Sequence, residues 1–268
     1  MTANAVIEVE ELASDNDAVI VDCRFDLGDP EAGQRAYLAG HIPGARYLHL
    51  NRDLSGPLGT HGGRHPLPDP AVFATTLAQL GIGPDTPVVA YDDSRFAYAA
   101  RLWWMMRSLG YRQPRLLNGG FAAWQAAGRA VEQGEAPAAS PVESPAPTDF
   151  RLRADFADLP GRLAAGAQLV DSRENARYRG EIEPIDPVAG HIPGAVNHPW
   201  QGVTDPAGKL LDEAALRAHW GDTLTAEHLV VYCGSGVTAC VNLFSLVQLG
   251  REDAILYPGS WSDWCSYL

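Results

Sequence analysis

A chain of 268 residues with an apolar fraction of 46% is long enough for one large domain or two of ordinary size. Its formal net charge of −13 argues against binding to nucleic acid or to an anionic membrane surface, so an anionic ligand must be held by local cations. No run approaches the roughly 18 apolar residues of a membrane helix, and no basic segment precedes an apolar one at the N-terminus, which predicts a cytoplasmic protein.

Short β-branched runs alternate with segments of helical periodicity along the chain. The predicted strands are residues 19–21, 88–90, 115–117, 168–170, 229–232 and 254–256. The predicted helices are residues 71–80, 98–109 and 239–249. Apolar strands separated by helices are typical of parallel sheets covered on both faces, and ligands of such sheets bind beyond the carboxyl ends of the strands. The sequence therefore predicts an α/β fold.

The chain contains an internal duplication. The segment Ala39-Gly-His-Ile-Pro-Gly-Ala45 recurs unchanged at residues 189–195, and the order of the predicted strands around it also repeats. Between the halves, residues 132–149 are rich in Pro, Ala, Ser and Glu and lack a periodic apolar face, which is typical of an extended linker. We therefore predict two domains, residues 1–131 and 150–268, joined by a linker over residues 132–149.

Cys233 lies at the turn between a predicted strand and a predicted helix. The turn, Cys233-Gly-Ser-Gly-Val-Thr238, lets backbone N–H groups converge at the positive end of the helix dipole, which favours a thiolate there. A cysteine phosphatase also uses such a turn, but it needs a guanidinium to grip the phosphoryl group, and Ala239 stands where the arginine usually closes the loop. Backbone amides alone suit a persulfide monoanion, so sulfur transfer is the leading interpretation.

These residues and their surroundings resemble the tandem-domain rhodaneses. The resemblance rests on the Cys233 loop, the paired Gly-His-Ile-Pro-Gly-Ala segments, Arg101-Leu-Trp-Trp104, Leu117-Asn-Gly-Gly-Phe121 and Tyr257-Pro-Gly-Ser-Trp261, and it runs over essentially the whole chain. Within that superfamily the loop is similar to that of the 3-mercaptopyruvate sulfurtransferases. The resemblance implies two rhodanese-like domains, each a parallel sheet with helices on both faces.

The resemblance also implies which half reacts. Cys233 is the residue expected to carry the persulfide, cradled by the amides of Gly234, Ser235, Gly236, Val237 and Thr238. Asp92 stands where the second half has Cys233, so the first domain is expected to be inactive in sulfur transfer. An ordinary explanation of Asp92 is a helix cap, because a carboxylate before a helix accepts backbone N–H bonds and complements the dipole.

The donor's anionic group is expected to bind Arg177. This residue lies in the Asp-Ser-Arg…Ala-Arg-Tyr context of the family's substrate-binding arginine, and Asp171 is expected to orient it; Arg173 and Arg179 are close enough to compete for the assignment. A guanidinium suits the role because it can bind a carboxylate bidentately. The mercaptopyruvate enzymes usually carry a second arginine where this chain has Ile185, so one expected carboxylate contact is missing.

Residues of the first domain are expected to complete the site. His65, in His65-Pro-Leu-Pro68, matches a histidine of a proposed relay whose serine is here Ser235 and whose acid maps to Asn51 or Asp53. Phe25 and Tyr98 match residues that face the active loop, where an apolar wall would keep water from a persulfide. Because the repeated segment places His41 and His191 in both halves, we interpret these two histidines as structural.

The sequence predicts a two-domain sulfurtransferase that moves sulfur from 3-mercaptopyruvate through a Cys233 persulfide to cyanide, a small thiol or reduced thioredoxin. It predicts no metal or organic cofactor and no nucleic-acid or membrane partner. The alternatives are thiosulfate as the donor, or a non-catalytic binding module. The cysteines form no Cys-x-x-Cys pair, which argues against a disulfide framework, a zinc site or a dithiol redox centre; they are Cys23, Cys233, Cys240 and Cys265.

Overall fold

The computed structural model describes residues 5–143, 145 and 147–268, which form two α/β units. The first unit contains strands β1 (Val6–Ile7), β2 (Val19–Asp22), β3 (Arg46–Tyr47), β4 (Val88–Tyr91) and β5 (Arg115–Leu117), and helices α1 (Val9–Ser14), α2 (Ala32–Ala39), α3 (Leu50–Asp53), α4 (Pro70–Gln79), α5 (Ala99–Ser108) and α6 (Gly120–Ala126). The second contains strands β6 (Gln168–Asp171), β7 (Val196–Asn197), β8 (Leu229–Tyr232) and β9 (Ile255–Leu256), and helices α7 (Leu159–Ala164), α8 (Asn175–Tyr178), α9 (Glu213–Trp220), α10 (Ala239–Gln248) and α11 (Ser260–Cys265). Short 3₁₀ turns lie at Phe156–Asp158, Trp200–Val203 and Gly221–Thr225.

Each unit is built on one parallel sheet. The strand orders are β1-β5-β4-β2-β3 and β7-β6-β8-β9. In the central pairs Asp22 lies opposite Tyr91 and Asp171 lies opposite Tyr232, so the two sheets share one register. The predicted strands are confirmed. The sequence analysis missed the edge strands β1, β3 and β7, because two residues are too short to show an alternating pattern.

Helices cover both faces of each sheet, which confirms the predicted fold class. Along β4, Val88 and Ala90 belong to one apolar cluster, whereas Val89 and Tyr91 belong to another that includes residues of α1 and α6. The second sheet divides in the same way, with Val230 of β8 in a cluster that includes residues of α7 and α11. Strands that are buried on both faces explain why the sequence shows continuous apolar runs.

The two units share one apolar core. Helix α5 packs against α10, and the ring of Trp103 meets the ring of Phe244 edge-on at 5.1 Å across the junction. One cluster contains residues of both sheets, including Val21 and Val231. Separation of the units would therefore expose apolar surface, so we expect them to hold a fixed relative position.

The segment predicted as a linker runs along the first unit. Glu132 forms a backbone bridge with His41, the Gly134 N–H donates to the Leu38 carbonyl, and the Val142 N–H donates to the Ala78 carbonyl. Residues 1–4 of the predicted first domain, and Ser144 and Ala146 of the predicted linker, lie outside the described residues. The domain bounds stay a prediction.

Candidate functional site

Cys233 lies at the base of a pocket between the two units. It follows β8 directly, and only 2% of its surface is exposed. The pocket has a volume of about 350 Å³. The second unit contributes the Cys233 loop and part of the segment 173–185, and the first unit contributes Leu27, Arg64, Ser94, Ala97 and Tyr98. The carboxyl end of a central strand therefore forms the site, as the fold class predicts.

Three carbonyls of the Cys233 loop accept hydrogen bonds from neighbouring segments of the protein. The Cys233 carbonyl accepts from the Trp261 N–H at 3.0 Å, the Gly234 carbonyl from the Ser262 N–H at 2.9 Å, and the Gly236 carbonyl from Arg101 Nη1 at 3.0 Å. Among the described residues, the N–H groups of residues 234–238 have no protein acceptor. These amides remain available to an anion carried by Cys233.

The corresponding loop of the first unit shows where such amides point. Asp92 follows β4 as Cys233 follows β8, and its Oδ1 accepts from the N–H groups of Ser94 and Phe96. Its Oδ2 accepts from the N–H groups of Tyr98 and Ala99 at the start of α5. Burial raises the pKa of Asp92, and these amide bonds oppose that effect. The predicted cap role of Asp92 is confirmed: its carboxylate occupies the cradle.

Arg177 lines the pocket, as expected, and two carboxylates hold it. Its Nη2 donates to Glu183 Oε1 at 2.7 Å and to Asp186 Oδ2 at 3.1 Å. A β-carbon built on Gly234 would lie 3.6 Å from both Nη atoms of Arg177. The guanidinium therefore stands beside the residue that follows Cys233, within reach of a substrate anion.

The expectation that Asp171 orients Arg177 is wrong. Asp171 is fully buried and binds Arg173, which donates through Nε, through Nη2 at 2.7 Å and through its backbone N–H. In the first unit, Asp22 and Arg24 form the same bidentate pair at the same place. Because the pair recurs in the half that lacks the cysteine, it is part of the scaffold. Arg173 lies two residues from Asp171, whereas Arg177 lies six away, so the pair with Arg173 closes the shorter stretch of chain. Arg173 donates to both oxygens of the Asp171 carboxylate.

His65 meets the Cys233 loop across the junction. Its Nδ1 lies 2.8 Å from the Ser235 hydroxyl. Burial, reinforced by the nearby cations Arg101 and Arg64, lowers the pKa of His65 to about 3, so the imidazole is neutral at physiological pH. Neither position proposed for the acid supplies one: Asp53 accepts from the His49 N–H, and Asn51 is an amide that forms no hydrogen bond with His65 among the described residues. The contact is a histidine–serine pair without a carboxylate.

The two aromatic residues predicted for the cleft wall lie in adjoining pockets. Tyr98 lines the Cys233 pocket. Phe25 lines a neighbouring pocket of about 630 Å³, and its ring lies 5.4 Å from that of Tyr98. Ile185 borders both pockets and is 47% exposed. The position of the expected second arginine therefore does face the site.

The histidines of the repeated segment are structural, as predicted. The Nδ1 atoms of His41 and His191 lie 2.9 Å and 2.8 Å from the carbonyls of Tyr37 and Tyr178. Each imidazole stacks on the ring of the same tyrosine, with centroids 4.0 Å apart. Identical contacts in both units give these histidines a role in the turn.

The sequence analysis missed two arginines that the first unit supplies. Arg64 lines the pocket, and Arg101 lies fully buried beneath the Cys233 loop. A signal for Arg64 was present, because it directly precedes His65 in a Gly-rich loop. Arg101 begins one of the segments that carry the resemblance, but its position on an apolar helix resembles that of a core residue, so no role in the site was expected of it.

The pocket suits an anion. Three guanidinium side chains line it, those of Arg64, Arg173 and Arg177. Carboxylates pair with all three, but among the described residues Arg64 Nη2 and Arg177 Nη1 have no protein acceptor. In the described part of the chain, no group of three or more His, Cys, Asp or Glu side chains could hold a metal ion. The polar groups present would therefore bind an anionic organic donor better than a cation.

Comparisons with known proteins agree with this geometry. A family model described as a rhodanese-like domain matches residues 5–127 and 155–267. A Pseudomonas aeruginosa protein named "Probable 3-mercaptopyruvate sulfurtransferase" is 44% identical over 98% of this chain and 96% of its own length. A Gallus gallus protein named "Thiosulfate sulfurtransferase" is 34% identical over 91% of this chain and 85% of its own. The structure of 3-mercaptopyruvate sulfurtransferase from Leishmania major superposes with a TM-score of 0.84 at 32% identity, covering 99% of this chain and 76% of that one.

Proposed function

The chain belongs to the rhodanese family, and we propose on that premise that it transfers sulfur from 3-mercaptopyruvate through a persulfide on Cys233 to a thiol or cyanide acceptor. The observation that carries the proposal is the pair of loops after β4 and β8. In one, four amides converge on the Asp92 carboxylate; in the other, Cys233 stands in the same place and the amides have no acceptor in the described part of the chain. A cradle for an anion thus surrounds a nucleophilic atom.

In the first step, the Cys233 thiolate attacks the sulfur of the donor. The S–S bond forms while the carbon–sulfur bond of mercaptopyruvate breaks, and the electron pair leaves on the enolate of pyruvate. The proton of the donor's thiol passes to the enolate carbon, so that pyruvate departs and the outer sulfur stays on Cys233 as a persulfide monoanion. The amides of residues 234–238 then stabilise the persulfide, and Arg177 holds the donor's carboxylate during the attack.

Ser235 is the group best placed to handle that proton. Its hydroxyl lines the pocket and contacts His65 Nδ1 at 2.8 Å. The Ser235 hydroxyl can pass the proton of the donor's S–H group to the enolate, while the neutral His65 imidazole keeps its own proton and orients the hydroxyl. The path therefore needs no carboxylate beside His65.

In the second step, an acceptor nucleophile takes the outer sulfur and regenerates the Cys233 thiolate. We propose cyanide or a small thiol as the minimal acceptor and reduced thioredoxin as a protein acceptor. We also propose that the enzyme works in the cytoplasm, which its four unpaired cysteines support. Among the described helices, none has the length and apolarity needed to cross a membrane.

Steady-state kinetics test this function. We expect turnover with mercaptopyruvate and cyanide, a lower kcat/KM with thiosulfate, and an added sulfur atom on the peptide that contains Cys233. Cys233→Ser should abolish turnover, whereas Cys23→Ser, Cys240→Ser and Cys265→Ser should keep most of it. More than a few per cent of activity in Cys233→Ser would contradict the mechanism. A higher kcat/KM with thiosulfate would reverse the assignment of the donor.

A further inference from the structure

An arginine of the first unit stands beside the gap left by Ile185. Arg64 and Ile185 both border the Cys233 pocket and the neighbouring pocket. The side chain of Arg64 is 32% exposed, and that of Arg177 is 11% exposed. Both guanidiniums pair with Asp186, whose side chain is 2% exposed. One buried carboxylate from the Ile185 segment therefore positions two cations from different units.

The two guanidiniums converge on one point next to Cys233. A β-carbon built on Gly234 would lie 3.0 Å from Arg64 Nη2 and 3.6 Å from Arg177 Nη1. Among the described residues, neither nitrogen donates to a protein acceptor: Arg64 binds Asp186 through Nη1, and Arg177 binds its carboxylates through Nε and Nη2. The N–H groups left free are those that face this point, which is open because residue 234 is glycine.

The loop that carries Arg64 is fixed to the second unit. The Gly62 N–H donates to Asp263 Oδ1 at 2.6 Å, and the Arg64 N–H donates to the Ser262 hydroxyl at 2.9 Å. Gly63 has a φ of +78° and approaches the Gly259 carbonyl so closely that a side chain would not fit. The Arg64 side chain is therefore fixed at its backbone and at its guanidinium, which pairs with Asp186. Binding of a substrate then costs little further side-chain entropy.

From this geometry we propose that Arg64 is the second guanidinium of the donor clamp. It binds the carboxylate of the sulfur donor together with Arg177, and it replaces from the first unit the arginine that is absent at Ile185. The inference rests on the proposed function and adds a residue that sets the affinity for a carboxylate donor. A clamp formed across the junction also makes binding depend on the relative position of the two units.

Kinetics of Arg64→Ala with mercaptopyruvate and cyanide test the role. We expect KM for mercaptopyruvate to rise about ten- to a hundredfold, as for Arg177→Ala, while kcat stays within about threefold. Adding Ile185→Arg to Arg64→Ala should recover part of the affinity. Arg115→Ala is the matched control, because that arginine is 27% exposed, pairs with Glu11 and Asp15, and lies outside the pocket.

Gly234→Ala supplies a second test that leaves Arg64 in place. Its backbone does not require positive φ, and the added methyl group would enter the point between the guanidiniums. We expect KM for mercaptopyruvate to rise in Gly234→Ala as well. If Arg64→Ala fails to fold, the KM values of Gly234→Ala and Arg64→Lys test the role of Arg64 instead. An unchanged KM in these variants, or a fall in kcat alone, would overturn the role of Arg64. A wild-type protein that is inactive with every donor would instead contradict the proposed function.

Discussion

Asp92 and Cys233 occupy the same place in two copies of one loop, and they use its backbone amides differently. The Asp92 carboxylate accepts hydrogen bonds from four of these amides, so no other anion can bind to them. Around Cys233 the amides find no acceptor among the described residues, and a thiol stands in place of the carboxylate. The supporting pairs Asp22–Arg24 and Asp171–Arg173 are alike, so the chemical difference between the units does not come from them.

Ile185→Arg tests the clamp from its other side. The side chain at position 185 faces both pockets, so a new guanidinium there can reach a donor carboxylate. We expect KM for mercaptopyruvate to fall by less than about tenfold, with little change for thiosulfate, because ordering an arginine costs up to about 2 kcal/mol. Kinetics with both donors check this. An equal or higher KM for mercaptopyruvate, with an unchanged circular dichroism spectrum, would show that position 185 does not meet the substrate.

Helix α5 supports the Cys233 site without lining its pocket. Arg101 on this helix is fully buried and donates to three carbonyls, those of Leu54, His65 and Gly236. Among the described residues, no carboxylate accepts from it. Burial lowers the pKa of Arg101, and the sulfur atoms of Cys240 and Cys233 are the groups that oppose this effect. The helix thus ties the His65 segment to the Cys233 loop and places a positive charge beneath the thiolate.

Arg101→Met should therefore impair the Cys233 loop more than the fold. It removes three donors and the charge, but it also relieves the cost of a buried cation without a carboxylate partner. We expect kcat/KM to fall at least about tenfold and alkylation of Cys233 by iodoacetamide at pH 7 to slow, with partial recovery in Arg101→Lys. Arg107→Met is the control: it lies on the same helix and donates to Glu252 of the other unit. Wild-type alkylation in Arg101→Met would refute this role.

At the scale of the whole molecule, the Cys233 pocket is formed by both units together. The nucleophile and Arg177 come from the second unit, whereas Arg64, His65 and Tyr98 come from the first. The shared core and the contacts of residues 62–65 with α11 and the segment before it fix this arrangement. The first unit carries Asp92 where the second carries Cys233, but its residues line the Cys233 pocket.

Buried histidines should make the free energy of unfolding depend on pH. Burial lowers the pKa of His65 to about 3 and of His198 to about 4, and it also lowers the pKa of His49 and His219. Below the usual histidine pKa of about 6.5, the unfolded chain binds protons that the folded chain does not, so the free energy of unfolding falls as pH falls towards 4. The slope is at most about 1.4 kcal/mol per pH unit for each histidine that is protonated in the unfolded chain and neutral in the folded one.

Thermal unfolding at pH 7.5 and pH 5 measures this effect. We expect a lower Tm at pH 5, and a smaller difference between the two values in His65→Gln because one proton-linked group is removed. His228→Gln, at an exposed position, should keep the wild-type difference. A wild-type Tm difference in His65→Gln would mean that His65 does not contribute to this pH dependence.

The sequence by itself determined the parallel strands, the duplication and the position of Cys233 in an anion-binding turn. These features are local: apolar runs, a repeated heptapeptide, and two glycines beside a cysteine at a strand end. Gly236 shows how closely such a pattern is tied to structure, because its φ of +72° and its contact with the Pro258 carbonyl admit no side chain. The family resemblance then added His65 as a partner of the loop.

Only the tertiary structure decided which cations serve the site. Arg173, Arg177 and Arg179 are all within reach of Asp171 along the chain, and the fold gives Asp171 to Arg173, Glu183 and Asp186 to Arg177, and Glu181 to Arg179. Arg64 and Arg101 reach the site from positions 122 and 135 residues away from Asp186 and Gly236. A guanidinium is recognised by the carboxylates and carbonyls around it, and partners so distant in sequence come together only when the two units share one core.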